Sequence, residues 1–196
     1  MEQYFVLLII IFIVSLSLTM YVEGFTSEVG FVTSPHDQRS YLVRNLPDKE
    51  KAARLLSILR ARLLKLVDIL AQKYPHDRRI YRLKTNFNPD EISESTPDSK
   101  YTSYSVNKGE KIVFCIRQRN AKNELVDINT MMFVGIHELS HLMTVSVGHT
   151  REFWENMKFL LGEALSKDIQ LYNYQPFHEE PVEYCGVKVS DTPLKL

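Results

Sequence analysis

His137-Glu138-Leu139-Ser140-His141 is the stretch on which the reading of this chain turns. On a helix, positions i and i+4 share one face about a turn apart, so both imidazoles can address a single ion. Glu138, next to the first of them, can address a water held by that ion. The preceding run, Met131 to Ile136 (MMFVGI), is wholly apolar and buries the helix. Two histidines on a buried helix are costly unless something ligates them.

A catalytic zinc takes three protein ligands and keeps one position open for water, so a third donor is expected beyond His137 and His141. His149 is the best candidate. It follows Gly148, which can reverse the chain after the first helix, and precedes Thr150, a fit N-cap for the next. That next helix, about Thr150 to Ser166, repeats Phe153, Trp154, Met157, Leu160 and Leu161 at helical spacing, which predicts a core stripe holding the loop in place. His36 falls in a polar lead-in and His76 in a basic turn; His178 is the one competitor for the third position. A further oxyanion donor is expected among Tyr172, Tyr174, His178 and Tyr184, with no means of choosing between them.

Working outward, Pro47 and Asp48 open a long amphipathic helix. Leu55, Leu59, Leu63, Leu66 and Leu70 recur every three or four residues until Tyr74-Pro75 ends it. Between Lys49 and Lys84 lie 11 Lys or Arg against three acids. This excess reads as the solvated face of the helix rather than as a lipid or nucleic-acid contact. Residues 87–100 (FNPDEISESTPDSK) read as an exposed loop. Tyr101 to Val106 and Lys111 to Arg117 are β-branched and aromatic and read as antiparallel strands joined by Asn107 to Glu110. A helix of about Asn129 to Thr144 carries the histidines. The tail, residues 181–193, alternates apolar residues, as a strand pair or a cover for the cleft would.

At the other end, residues 4–22 are uncharged and flanked by Glu2 and Glu23. Nineteen residues at about 1.5 Å each match a bilayer core, which predicts a single-pass membrane anchor. The alternative is a signal segment, cleaved to leave a secreted protein. Residues 23–45 read as a tether, and the globular domain is expected over 46–196.

The chain has 196 residues, with 24 Lys or Arg balancing 24 Asp or Glu. One domain fits this length, and no overall field steers the chain to nucleic acid. Two cysteines, Cys115 and Cys185, are too few for a disulfide-built scaffold or a four-cysteine zinc site. They read as buried free thiols, with pairing in an oxidising compartment as the alternative.

HELSH followed by a short turn and Gly148-His149-Thr150-Arg151-Glu152-Phe153-Trp154 resembles the core of the WLM and SprT-like zinc peptidases. The resemblance extends in organisation over about residues 46 to 165, its specific motifs over 137–154. It implies an α+β, zincin-like minimal metallopeptidase domain, with a long helix, a small antiparallel sheet and the HExxH helix. It further implies Zn2+ on His137, His141 and His149, with Glu138 as general base. Seven residues separate His141 from His149. That spacing is longer than in WLM members and shorter than in many SprT-like ones. The function expected is a membrane-anchored zinc metallopeptidase acting on protein or peptide substrates. The alternative is a noncatalytic membrane adaptor that keeps the fold as a binding module.

Overall fold

The computed structural model describes residues 2–194. Its elements run α1 (Glu2–Glu28), β1 (Val29–Thr33), β2 (Ser40–Arg44), α2 (Lys49–Lys73), α3 (Arg78–Asn86) and β3 (Ile92–Glu94). β4 (Ser103–Val106), β5 (Lys111–Phe114), α4 (Ile128–Met143), α5 (Arg151–Leu165), β6 (Val182–Tyr184) and β7 (Val187–Val189) follow. The class is α+β with small sheets.

α4 is the centre of the packing, touching α2, α3, α5 and β4. Its first turn is fixed by Asp127, whose carboxylate accepts the Asn129 and Thr130 amides, satisfying donors that a helix start leaves unpaired. From Thr130 to Ile136 every residue is buried. Gly135 is needed for a close helix crossing, since a Cβ there would lie 2.9 Å from a Leu63 methyl of α2. α2 presents Leu56, Leu59, Leu63, Leu66, Val67 and Leu70 to the same core, all fully buried. The predicted leucine stripe thus faces inward, with Leu55 at its half-buried edge.

The expected hairpin is present. β4 pairs antiparallel with β5, Tyr104 opposite Val113. β5 also pairs with β3 in parallel, giving the order β3-β5-β4 with β4 at the edge. β3 lies inside the stretch read as an exposed loop, and its three residues are all buried. The tail forms the short antiparallel hairpin β6–β7.

Two further expectations are corrected. Within the stretch read as a tether, β1 and β2 pair antiparallel, and Tyr41 and Val43 join the core. Alternate β2 residues turn inward against α2 while the others stay outward, a period of two that is short enough to pass for irregular chain. The membrane anchor over residues 4–22 is not upheld. Among the described residues no helix is long and apolar enough to cross a membrane. The single-pass localisation falls with it.

Cys115 and Cys185, read as buried thiols, form a disulfide that joins the chain beyond β5 to the β6–β7 turn. Beside it Arg117 is buried; its Nε donates to Glu94 at 2.8 Å and its Nη1 to Asp48 at 2.7 Å. That cluster ties β5, β3 and the start of α2 together.

Candidate metal centre

α4 and the start of α5 bring three imidazoles to one point. The Nε2 atom of His137 lies 3.2 Å from that of His141 and 3.1 Å from that of His149. Nitrogens held tetrahedrally about an ion at about 2.0–2.1 Å stand roughly 3.3 Å apart, so this spacing suits a zinc-sized ion. Among the described residues these three are the group of His, Cys, Asp or Glu placed to share a metal. They can bind one. His178, the competing candidate, is instead 3.3 Å from Glu179 and outside the cluster.

Local structure explains how His149 returns. Thr144 ends α4, with its amide bonded to the Ser140 carbonyl. The Asn156 side chain of α5 donates to the Thr144 hydroxyl at 2.9 Å. Gly148 takes φ +85°, a backbone conformation open to glycine at little steric cost. Thr150 then caps α5, its side chain accepting the Phe153 amide.

Burial sets the charge state of the donors. It is the chief cause that pushes His137 down to about 3 and His141 down to about 4, with the neighbouring imidazoles adding to it. Both rings are therefore neutral at pH 7 and keep the lone pair a metal needs. Glu138 is buried in the cleft wall, and desolvation pushes it up to about 8.

The cleft above the histidines has a volume of about 760 Å³. Tyr101 to Ser105 form one wall, Phe133 and Val134 of α4 line it from the helix, and Val147 to His149 make its rim. Of the four oxyanion candidates, Tyr184 lines this cleft; Tyr172 packs on Phe133 from outside it. The Tyr184 hydroxyl donates to the Cys115 carbonyl at 2.8 Å and lies 2.6 Å from Ser103 Oγ.

Two residues of the α5 stripe depart from the expected core role. Phe153 is fully buried, but its ring packs against all three imidazoles, with centroids 4.4 to 4.9 Å away. Trp154 is 43% exposed and stacks beside His149. Apolar spacing alone does not separate a core residue from the floor of a metal site. Lys108 is a further cleft residue that the sequence reading misses, hidden in the hairpin turn.

The chain is 33% identical over 200 aligned positions to an uncharacterized protein of Acanthamoeba polyphaga mimivirus, covering all of both. It is 35% identical over 86 residues to an uncharacterized protein of Invertebrate iridescent virus 3, covering 43% of this chain and 50% of that one. Among solved structures it is similar to Wss1 from Saccharomyces cerevisiae, at 21% identity over 61% of this chain and 80% of that one, with a TM-score of 0.46. The WLM domain model matches residues 34–192, which include β2, the central helices and every residue of the histidine cluster, and the chain belongs to the WLM domain family.

Proposed function

We propose that this protein is a zinc-dependent metallopeptidase that hydrolyses internal peptide bonds of protein substrates, with His137, His141 and His149 as the zinc ligands and Glu138 as general base. The observation that carries this reading is the pairing of three convergent Nε2 atoms with a carboxyl one residue along the same helix. A structural metal site has no use for such a carboxyl, and this separates an enzyme from a binding module built on the same fold.

His137, His141 and His149 would hold a zinc ion, which would supply Lewis acidity toward a peptide carbonyl and an attacking water, and a field that favours the ionised form of Glu138. The residues do the rest. Glu138 accepts the proton from the attacking water and passes it to the departing amine, so one carboxyl serves as base and then as acid. Its burial suits a carboxyl that must both take and return a proton near neutral pH. Phe153 closes the floor beneath the imidazoles and limits their rotation. The cleft is large enough for a stretch of extended chain, which fits a peptide or an unfolded segment of protein.

The test is cleavage of an unfolded protein by the zinc-loaded full chain, beside the Glu138→Gln variant and a sample treated with chelator. Fragments from the wild type and none from either control are the expected result. A folded, zinc-bound wild type that leaves unfolded protein, short peptides and its own chain uncut would sink the enzyme reading.

A further inference from the structure

The loop from Thr144 to Gly148 must deliver His149 back to the ion, yet Val147 is 86% exposed and a Cβ at Gly148 would meet open space. The core therefore gives this loop little support. Its backbone polar groups are instead gathered from two sides. On one side Glu152, in the first turn of α5, accepts from the Val145 amide at 3.1 Å, the Ser146 amide at 3.2 Å and the Ser146 hydroxyl at 2.9 Å. On the other side the Lys108 ammonium donates to three successive carbonyls, Thr144 at 2.9 Å, Val145 at 3.2 Å and Ser146 at 3.0 Å. All three N–H bonds of the ammonium are thereby used.

The backbone at Lys108 adds an independent observation. Asn107 and Lys108 have φ of 45° and 61°, and the Gly109 amide bonds the Val106 carbonyl at 2.9 Å. Asn107 and Lys108 are thus the central residues of a tight turn from Val106 to Gly109, inside the four-residue connection 107–110 between β4 and β5, and a positive φ at the second central position is one that glycine fills most easily. A lysine there holds a left-handed conformation disfavoured by its own Cβ. The next residue, Gly109, is pressed so closely onto α3 and α4 that a Cβ would overlap the Asn86 carbonyl oxygen. The turn is thus anchored at the end of α4, with its side chain aimed at the loop.

We propose that Lys108 is a positioning residue for the metal centre, a cationic clamp that fixes residues 144–146 so that His149 is held ready as third ligand. This rests on the metal reading given above. A side chain kept in a strained backbone because its charge is needed elsewhere accounts for both the geometry and the choice of lysine over glycine.

The strain supplies a clean test. Lys108→Gly relieves the backbone and removes the clamp, whereas Lys108→Met keeps the side-chain length and removes only the charge. Apparent zinc affinity of the full chain is measured by competition with a coloured chelator. Thermal midpoints and amide hydrogen exchange are recorded on the metal-free protein. Both variants should bind zinc about 10- to 100-fold more weakly, as for other groups that orient metal ligands. The Gly variant should keep or raise its metal-free midpoint, while exchange quickens at residues 145–149. Wild-type zinc affinity in the Gly variant, with unchanged exchange in the loop, would overturn the clamp. A wild-type chain that binds no zinc would instead overturn the metal reading beneath it.

Discussion

Around Arg117 and around His137 the same fold buries ionisable side chains, and it finishes the two places in opposite ways. Arg117 is enclosed with Glu94 and Asp48, opposite charges that answer one another at 2.7 to 2.8 Å. Arg117 holds the Asp48 carboxyl below the usual range by hydrogen bonding, while burial still raises Glu94. At His137 the neighbours are two more imidazoles and a carboxyl that burial keeps protonated in the metal-free protein, so like groups face each other. Among the described residues no further His, Cys, Asp or Glu joins the three imidazoles as a metal donor. A buried set whose opposite charges pair with one another is structural, whereas one whose lone pairs converge on a single point suits a cation from outside.

The largest effect that sharpens this contrast is catalytic. Glu138→Gln should lower kcat by about 10²- to 10⁴-fold, the usual worth of a positioned base, with zinc affinity unchanged. Peptidase assays and metal titration on the same sample check both halves. At the other region Arg117→Met should leave zinc affinity alone and cost about 3–5 kcal/mol of stability, because Glu94 is left buried without its cation. Urea denaturation reads the loss, and the double variant with Glu94→Leu should recover much of it. If Arg117→Met instead weakened zinc binding in the folded protein, the two regions would not be independent.

Zinc itself separates them further. At about 100 times its dissociation constant a ligand that binds only the native state adds about 2.7 kcal/mol, so zinc should raise the unfolding midpoint of the wild type. His149→Ala should lose most of that gain. A His149→Ala protein that is stabilised as fully as the wild type would remove His149 from the ligand set.

The two regions also differ in how far the sequence discloses them. The histidine cluster is readable because His137, Glu138 and His141 lie within about one helical turn, and His149 stands between a glycine and an N-cap with known local geometry. α2, α4, α5 and the β4–β5 hairpin are readable for the same reason, since their periods and turn residues are local. The Arg117 cluster joins positions 48, 94 and 117, and no local pattern links them. β3 is three residues long and defined by a parallel partner 20 positions away. Cys115 and Cys185 are 70 residues apart, and their pairing depends on the tail folding back beside β5. What the sequence withholds is pairing at a distance. Lys108 shows this at one residue, since the turn is visible in the sequence and the carbonyls it reaches are not.

Tyr184 sits where the two regions meet, next to Cys185 and in the wall of the metal cleft. Its hydroxyl has one proton, which goes to the Cys115 carbonyl, so Ser103 Oγ must donate to it at 2.6 Å. Ser103 Oγ in turn accepts from the Cys115 amide at 3.2 Å. The three groups form a closed ring that leaves the phenol no proton for an oxyanion. Tyr184→Phe should therefore cost about 0.5–1.5 kcal/mol of stability, the net worth of a buried hydrogen bond, and leave kcat within about threefold of wild type. Were kcat to fall a hundredfold with stability intact, the ring would have to open in the substrate complex, and Tyr184 would belong to the reacting region rather than to its frame.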